Sequence, residues 1–278
     1  MTASDATPIK DFLSERGASD LVSWSLQQEL MQTFGLGCRE TEGAILRLGL
    51  MPARYQRNRT MISVEEQLRL HQARVAVIGC GGLGGYILEE LARLGVGTIL
   101  AIDPDVFEEH NLNRQLLSTV ENLGKAKVDA AVQRLKEVNP AVFVLPCRAA
   151  FNRNEGPGLL QDTELVIDAV DTVACRMELA EVCRDLGIPL VHGAIGGWFG
   201  QVATVYPGED TLDKLYANWT GGKGIEAKFG NPSFTPAVAA SLQVAEACKV
   251  LLGQGSELRN GALYLNLLDM QFDSIAFD

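Results

Sequence analysis

Two short stretches of the chain combine residue types that can handle phosphate groups. The first is "GCGGLGG" at residues 79–85, and the second is "HNLNRQ" at 110–115, just past the acidic "DPDVFEE". Glycines let a backbone approach an anion closely, and a helix N-terminus offers unpaired N–H groups and a partial positive charge. Amide and guanidinium groups donate hydrogen bonds to phosphate oxygens. The two stretches therefore predict a nucleotide site in which the phosphates are the centre of the chemistry.

The glycine stretch lies in the context that a nucleotide fold requires. An apolar run, "RVAVIG" (74–79), precedes it, a helical pattern follows at 84–95, and the next apolar run (97–103) ends in an acidic residue. In this pattern the glycines make the tight turn, let the backbone approach a phosphate and allow close helix–strand packing, while the acid holds ribose hydroxyls. The residues are Gly79, Gly81, Gly82, Gly84 and Asp103.

The second stretch supplies two amides and, with the helix start "GKAKV", two cations. Asn111, Arg114, Gln115 and Lys127 fall between the end of the second strand and the first turn of the next helix. Ligands of open α/β sheets bind outside the carboxyl ends of the strands, so these side chains belong to the same crevice. They suit a triphosphate better than the pyrophosphate of a nicotinamide dinucleotide. A solvated polar loop that caps a helix is the alternative.

A third candidate is Asp171 in "DAVDTVACR" (168–176), where a fourth strand meets its helix. Its carboxylate has two possible roles: the N-cap of that helix, or a ligand for Mg²⁺ that bridges phosphate oxygens. The two roles can coexist.

The elements around these motifs predict an α/β, Rossmann-like fold. Apolar strands alternate with helices between 74 and 195, which indicates a mostly parallel sheet with helices on both faces. Residues 1–60 form an N-terminal helical extension, with helices at 19–34, capped by Ser19 or Asp20, and at 40–48. Residues 61–278 form the nucleotide-binding domain, which starts with a helix at 64–71 whose capping box is Ser63 and Glu66. The polar segment 207–233 is a lid or crossover loop without regular structure, and a helix (234–253) and an antiparallel hairpin follow it.

Composition narrows the class of protein. The 278 residues carry a net charge of −11, which disfavours general binding to nucleic acid. Charges interrupt every long apolar stretch, and the N-terminus lacks the pattern of a secretory signal, so we expect no membrane association and a cytoplasmic location. The six cysteines include no C-x-x-C pair, and reduced, mostly buried thiols are expected.

In this order, the glycine run, "NLNRQ", "GKAKV" and "DTVACR" resemble the ThiF/MoeB/HesA family, bacterial relatives of ubiquitin-activating enzymes. The similarity covers about residues 54–270. The family's usual opening, Arg-Tyr-x-Arg-Gln, reads "RYQRN" here, from Arg54 to Asn58. The resemblance implies a homodimeric adenylyltransferase that uses ATP and Mg²⁺. Its substrate would be the C-terminal Gly-Gly carboxylate of a ubiquitin-like sulfur-carrier protein, for thiamine, molybdopterin or tungsten cofactor, or related sulfur transfer.

The resemblance also implies a role for each matching residue. Asp103 would hold the ribose, and Asp171 would hold the metal. Arg57 would enter the partner subunit's site as an arginine finger, which its position outside the α/β unit permits. The phosphates would be bound by Asn111, Arg114, Gln115 and Lys127. Arg57, Arg114, Lys127 and Asp171 would be the catalytic group.

The chain departs from the family pattern in two places that bear on chemistry. Many members hold a structural zinc with two C-x-x-C pairs; this chain has neither, so no zinc is expected. Some members use a cysteine of the crossover loop to accept the activated carrier protein. Residues 207–233 contain no cysteine, so we expect no thioester step on this loop. The sequence leaves open an enzyme that activates a peptide or a tRNA base, and a nicotinamide-dependent oxidoreductase, which the glycines alone would permit.

Overall fold

The computed structural model describes residues 3–221 and 229–277. The described residues up to 60, which we call the N-terminal extension, contain three α-helices and a two-stranded parallel ribbon that pairs Leu21 with Met51 and Val22 with Pro52. Its elements are α1 (Ala3–Glu15), β1 (Leu21–Val22), α2 (Trp24–Phe34), α3 (Cys38–Arg47) and β2 (Met51–Pro52). The sequence pattern did not indicate α1. The buried side chains of the extension form an apolar cluster of their own: Ile9, Phe12, Leu13, Val22, Leu30, Ala44 and Ile45.

The start predicted for the helix at 19–34, which is α2 in the structure, is wrong. The helix begins at Trp24, and its N-cap is Ser23, whose hydroxyl accepts a hydrogen bond from the Leu26 backbone N–H at 3.2 Å. Neither Ser19 nor Asp20 caps it, because Leu21 and Val22 are held extended by their partners in β2. The end is as predicted, since Gly35 takes a left-handed conformation there.

The remaining elements follow the predicted alternation closely. A 3₁₀ turn (Ala53–Tyr55) precedes α4 (Val64–Gln72), whose N-cap Ser63 forms the predicted capping box with Glu66. Two further 3₁₀ turns, Glu109–Asn111 and Val120–Asn122, follow β4 (Thr98–Ile102). The elements up to the eighth strand are α4 (Val64–Gln72), β3 (Arg74–Ile78), α5 (Gly82–Leu94), β4 (Thr98–Ile102), α6 (Lys127–Val138), β5 (Phe143–Cys147), α7 (Gly156–Leu159), β6 (Leu165–Asp168), α8 (Val173–Leu186), β7 (Leu190–Gly196) and β8 (Phe199–Val205).

With β9 (Gly261–Asn266) and β10 (Gln271–Ala276), the central sheet of the described chain has eight strands in the order β10-β9-β8-β7-β6-β3-β4-β5. The five strands from β7 to β5 are parallel, and β8, β9 and β10 continue the sheet antiparallel. This confirms the mostly parallel α/β sheet with an antiparallel C-terminal part. The strand order reverses between β3 and β6, and at such a point the loops at the carboxyl ends diverge and leave a crevice.

Each face of the sheet has its own apolar core. On one face, alternate residues of the central strands, such as Val75 and Val77, pack with Ile87 of α5 and with the C-terminal helix. On the other, Ala76 and Ile78 belong to a second cluster with Leu179 of α8. Because side chains of a strand point alternately to opposite faces, near-continuous apolar strands can fill both cores.

The last part of the chain corrects one expectation and confirms another. Within the predicted crossover loop 207–233, Thr211–Leu215 forms a short helix, α9, and residues 222–228 lie outside the described residues. The following helix, α10 (Phe234–Leu252), and the predicted hairpin of β9 (Gly261–Asn266) with β10 (Gln271–Ala276) are present. Within the described ranges, no helix has the length and apolar character needed to cross a bilayer.

Candidate functional site

A cavity of about 420 Å³ opens where the sheet reverses its strand order. The ends of three neighbouring strands, β3, β4 and β6, contribute Ile78, Ile102 and Ala169 to its walls. Eight of the residues singled out in the sequence line it: Gly79, Gly81, Gly82, Asp103, Arg114, Gln115, Lys127 and Asp171. The motifs that lie up to 92 positions apart in the sequence therefore meet in one site.

The glycine turn is built by two contacts that exclude a side chain. Gly79 has φ = +101°, and a Cβ there would lie 2.4 Å from the Ala169 carbonyl oxygen. A Cβ on Gly84 would lie 1.8 Å from the Gly79 carbonyl oxygen. Gly84 does not line the cavity but lets α5 pack against the end of β3, and the first residues of α5 thereby face the cavity. A helix of this length presents its N-terminal N–H groups to an anion.

Asp103 joins the glycine turn to the end of β4. Its Oδ2 accepts a hydrogen bond from the Cys80 N–H at 2.7 Å, and its Oδ1 accepts one from the Asp105 N–H at 2.8 Å. The side chain is 5% exposed and lines the cavity. Each carboxylate oxygen can accept a further hydrogen bond, so Asp103 can bind hydroxyl groups while it fixes both loops.

The loop after β4 brings Arg114 and Gln115 to the cavity. The backbone carbonyl of Asn111 accepts hydrogen bonds from the N–H groups of both residues, at 3.1 and 2.9 Å. The Gln115 side-chain amide makes no hydrogen bond to a described residue, and its Oε1 is buried. An unpaired buried amide is costly, so Gln115 is suited to a polar ligand. Partial burial lowers the pKa of the Arg114 guanidinium, which stays charged because its ordinary value is above 12.

Lys127 is the first residue of α6 and is 7% exposed. Its Nζ lies 3.0 Å from Oδ2 of Asp105, which also lines the cavity. Asp105 was not among the predicted site residues, although "DPD" places it two positions after Asp103. The pair holds the ammonium group at the cavity, where a phosphate can compete with the exposed Asp105 for it.

The interpretation of Asp171 as a helix N-cap is wrong. Thr172 is the N-cap of α8, and its hydroxyl accepts a hydrogen bond from the Cys175 N–H at 3.4 Å. Asp171 is exposed at the cavity, and no hydrogen bond or ion pair links it to the rest of the described chain. Its carboxylate is therefore available to a ligand.

Besides Gly84, three other residues of the sequence motifs, Asn111, His110 and Arg57, lie outside the cavity wall. Asn111 is buried, and its Oδ1 accepts a hydrogen bond from the Glu108 N–H at 3.0 Å, so that it shapes the turn that carries Arg114. His110 is exposed beside Glu108, with Nδ1 at 3.3 Å from Oε2. Arg57 is exposed on the segment before α4 and does not line the cavity of its own chain.

Next to the cavity lies a polar cluster, which we call the Asp168 network: Asp168, Arg176, His192, Gln201 and Tyr216. Asp168, Arg176 and His192 are buried, and Gln201 and Tyr216 are half-buried. Arg176 Nε donates to Asp168 Oδ2 at 2.7 Å, and His192 Nδ1 lies 2.7 Å from the same oxygen. Tyr216 OH accepts hydrogen bonds from Arg176 and Gln201 at 2.9 and 2.8 Å, and it lies 3.3 Å from His192 Nε2. His192 is thus held inside the fold by its hydrogen-bond partners.

The charges of this network are set by burial and by one another. Burial by itself raises the pKa of Asp168, but Arg176 and the hydrogen bond from His192 outweigh it, and the pKa lies below its usual range. Burial and the charge of Arg176 lower the pKa of His192, so its ring is neutral at pH 7. Since Tyr216 belongs to the segment after β8, the network fixes the start of the crossover to the sheet.

Two further polar residues at the cavity carry no signal of a site role in the sequence. Arg176 and Asn231 both line it. Arg176 stands within "DTVACR", but only the fold shows that its guanidinium reaches Asp168 and Tyr216. Asn231 comes from the crossover segment, and its backbone carbonyl accepts a hydrogen bond from Asn113 Nδ2 at 3.0 Å. No sequence signal connects these distant positions.

The thiol at the cavity is poorly suited to covalent chemistry. Cys175 lines the cavity wall. Burial, with the charge of Asp168 next in size, raises the pKa of its thiol to about 11. The thiolate is the nucleophilic form of cysteine, so Cys175 is protonated and weakly nucleophilic near pH 7.

The fold and the glycine-turn cavity define an α/β enzyme of the nucleotide-binding type. The chain belongs to the ThiF family, whose sequence profile matches residues 55–278. The SAMP-activating enzyme E1 of Haloferax volcanii is 35% identical over 228 residues, which cover 81% of this chain and 84% of that protein. The sulfur carrier protein adenylyltransferase of Thermus thermophilus is 36% identical over 231 residues, which cover 79% and 84%.

Solved structures share the fold. E. coli MccB in a crystal structure with AMPCPP and MccA superposes with a TM-score of 0.70 at 21% identity, over 81% of this chain and 71% of that one. The fold is therefore that of MccB. The enzyme class, adenylyl transfer, follows from the family and the curated relatives.

Proposed function

We propose that the protein uses ATP to adenylate the C-terminal Gly-Gly carboxylate of a ubiquitin-like sulfur-carrier protein. The observation that carries the proposal is the meeting of two cations, Arg114 and Lys127, and the unpaired amide of Gln115 at a glycine-turn cavity. A hydride-transfer enzyme has no use for such a set. The names of the relatives from H. volcanii and T. thermophilus support a protein carrier as the substrate.

Within the cavity we assign each part of ATP to a part of the wall. Asp103 accepts hydrogen bonds from the ribose hydroxyls, and the glycine turn with the N-terminus of α5 faces the phosphates. Arg114, Gln115 and Lys127 bind the phosphate oxygens. Asn111 acts through the turn that its backbone and side chain stabilise.

The residues present fit a magnesium ion bound together with ATP. Mg²⁺ prefers oxygen ligands and is usually held by one or two carboxylates plus substrate phosphates. Asp171 offers an exposed carboxylate at the cavity that no described residue engages. When bound, the ion would neutralise phosphate charge. Asp171 is the residue that would hold it.

The reaction needs positioning more than proton transfer. A carboxylate oxygen of the carrier forms a bond to the α-phosphorus, the bond from that phosphorus to the bridging oxygen breaks, and pyrophosphate leaves with the electron pair. The carrier carboxylate is ionised at neutral pH, so no general base is required. The barrier comes from bringing two anions together, and fixed cations and amide donors lower it.

Arg57 completes the proposal as an arginine finger that acts in the partner subunit of a homodimer. It is exposed, lies outside the cavity of its own chain, and has no hydrogen bond or ion pair to a described residue. Such fingers contribute on the order of 10³–10⁵ in rate in other phosphoryl-transfer enzymes.

We also propose a boundary between an N-terminal extension (1–60) and an adenylation domain (61–278), and a cytoplasmic location.

Exchange of labelled pyrophosphate into ATP tests the proposed reaction. We expect exchange with a carrier that ends in Gly-Gly and none with the same carrier shortened by its last glycine. Arg114→Ala should abolish carrier-dependent exchange, whereas Arg93→Ala, an exposed arginine on α5 paired with Glu89, should leave it intact. Tight NAD binding without carrier-dependent exchange would refute adenylation and favour an oxidoreductase.

Mixed subunits test the finger. A dimer of one Arg57→Ala and one Asp171→Ala subunit contains one site with an intact Asp171 and an intact Arg57 from the partner. Mixing two inactive variants should therefore restore part of the exchange activity. Absence of rescue would argue against a finger that acts across the dimer.

A further inference from the structure

A second polar cluster, built around the buried side chains of Glu42, Tyr55 and Asn139, joins the N-terminal extension to the nucleotide-binding domain. We call it the Glu42 network: Glu42, Arg54, Tyr55 and Asn139. Glu42 comes from α3 and is 1% exposed, and Asn139 caps the C-terminal end of α6. Arg54 and Tyr55 lie in the segment between them, directly before Arg57.

Tyr55 is the centre of the Glu42 network. Its ring is fully buried, and its hydroxyl donates to Glu42 Oε1 at 2.8 Å and accepts from Asn139 Nδ2 at 2.8 Å. Asn139 Nδ2 also donates to the Ala92 carbonyl of α5 at 2.9 Å. The hydroxyl packs so closely on the end of α5 that a Cβ on Gly95 would lie 2.3 Å from it. The backbone at Tyr55 is thus fixed against α5 and α6.

Arg54 adds the charged part of the Glu42 network. Its guanidinium donates to Asn139 Oδ1, and its Nε lies 3.8 Å from Glu42 Oε2. It also lies over the ring of Trp24 of α2, with 5.1 Å between Cζ and the ring centroid. Two helices of the extension therefore hold the residue three positions before Arg57.

The segment is also fixed after Arg57. The backbone N–H of Asn58 donates to the Tyr55 carbonyl at 2.8 Å, and the N–H of Ile62 donates to the Asn58 carbonyl at 2.8 Å. The Ile62 side chain is buried in the core that α5 and α10 share. Arg57 is thus an exposed arginine, without a partner among the described residues, on a backbone anchored at both ends.

Such a network is a weak source of stability. Burying a carboxylate costs free energy that its partners repay only in good geometry, and an apolar replacement is often as stable. Glu42 Oε2 has no hydrogen bond to a described residue. What the network supplies is one fixed arrangement of the Arg57 segment.

We infer that Glu42 and Tyr55 are positioning residues for Arg57, and that the extension serves adenylation by holding this arginine in place. The inference rests on the proposed role of Arg57. A misplacement of about 1 Å far from the reacting atoms can cost on the order of 100-fold in rate, so the expected effect is on kcat rather than on ATP binding.

A cycle of variants tests the inference in carrier-dependent exchange with the full-length protein. We expect Glu42→Gln and Tyr55→Phe each to lower kcat by about 10- to 100-fold and to leave the KM for ATP within about two-fold of the parent. In an Arg57→Ala background, each substitution should change kcat by less than about two-fold, because the group it positions is gone. Equal losses in both backgrounds, or no loss beside an intact Arg57, would overturn the inference.

A matched control separates positioning from simple loss of stability. Leu30 is fully buried in the extension's own apolar cluster and contacts no residue of the Glu42 network through a hydrogen bond. Leu30→Ala should lower the thermal unfolding midpoint at least as much as Tyr55→Phe but leave kcat unchanged well below that midpoint. An equal loss of kcat in Leu30→Ala would show that any weakening of the extension reduces activity.

Failure of the inference and failure of the proposed function give different results. If Arg57→Ala alone leaves kcat unchanged, the inference fails while carrier-dependent exchange of the parent protein still supports adenylation. If the parent shows no carrier-dependent exchange, the proposed reaction fails first.

Discussion

The cavity wall and the Asp168 network differ in how their polar groups are paired. Along the wall, Asp171 and the Gln115 amide have no partner in the described chain. In the Asp168 network, by contrast, Asp168 is 0% exposed and accepts hydrogen bonds from Arg176, His192 and the Val170 N–H. Unpaired polar groups at a cavity indicate a ligand, whereas paired ones indicate a scaffold. Two aspartates three positions apart thus have opposite roles.

The largest expected effect is a loss of stability when the Asp168 network is broken. Asp168→Ala leaves the Arg176 guanidinium buried without its carboxylate, and breaking a buried pair in this way costs about 3–5 kcal/mol. We expect a loss of that size in the free energy of unfolding, measured by urea denaturation. A loss below about 0.5 kcal/mol, the usual size for a surface substitution, would show that Asp168 does not stabilise the fold.

The next largest expected effect is a loss of exchange activity when Asp171 of the cavity wall is replaced. Asp171→Ala should abolish exchange, with a loss of at least about 100-fold, the usual cost of one electrostatic group at a reacting centre. Because Asp171 is exposed and has no partner in the described chain, the substitution should change the protein's free energy of unfolding by less than about 0.5 kcal/mol. Normal exchange in this variant would remove Asp171 from the site, and a large loss of stability would assign it to the scaffold.

The third effect is a dependence of stability on pH. The folded-state pKa of His192 lies below the unfolded value of about 6.5, so the unfolded chain binds more protons between the two values. The contribution to stability is complete above pH 6.5 and is lost as the pH falls toward the folded pKa, by at most about 1.4 kcal/mol per pH unit. Asp168, whose pKa is also lowered, adds a loss below about pH 4.

Substitution of the histidine isolates its share of this dependence. In His192→Asn, denaturation curves between pH 5 and 6.5 should lose this slope, whereas the loss near pH 4 should persist. An unchanged slope would show that other groups cause it.

The smallest effect is at the start of α8. Thr172→Ala removes the N-cap hydroxyl and should cost about 1 kcal/mol of unfolding free energy. Exchange should fall far less than in Asp171→Ala, because the hydroxyl donates no charge to the site. Equal loss of exchange in the two variants would mean that Thr172 contacts the ligand directly.

Features set by neighbouring residues could be predicted from the sequence. The capping box of Ser63 and Glu66, the left-handed Gly35 and the turn at Gly79 each depend on a few adjacent positions. Because ligands of open α/β sheets bind outside the carboxyl ends of the strands, Asp103 and Lys127 could also be predicted to lie at one cavity. Their contact partners could not be predicted.

Features set by distant partners could not be predicted. Leu21 and Val22 looked helical because their pairing with Met51 and Pro52 has no local signature. Likewise, the residues around Arg176 do not indicate its hydrogen bond to Tyr216. The residues around Tyr55 do not indicate its hydrogen bonds to Glu42 and Asn139. These contacts depend on the packing of whole helices and strands.

The position of β3 between β4 and β6 has a consequence for the order in which the chain can fold. A chain leaving the ribosome can pair β3 with β4, and β4 with β5, once residue 147 has emerged. The other edge of β3 stays open until residues 165–168 arrive. Pairing over such separations is slow, and domains of this size commonly pass through partly folded states. Asp171 can join the glycine turn at the cavity only after β6 has docked, so the cavity wall is complete only in late states of folding.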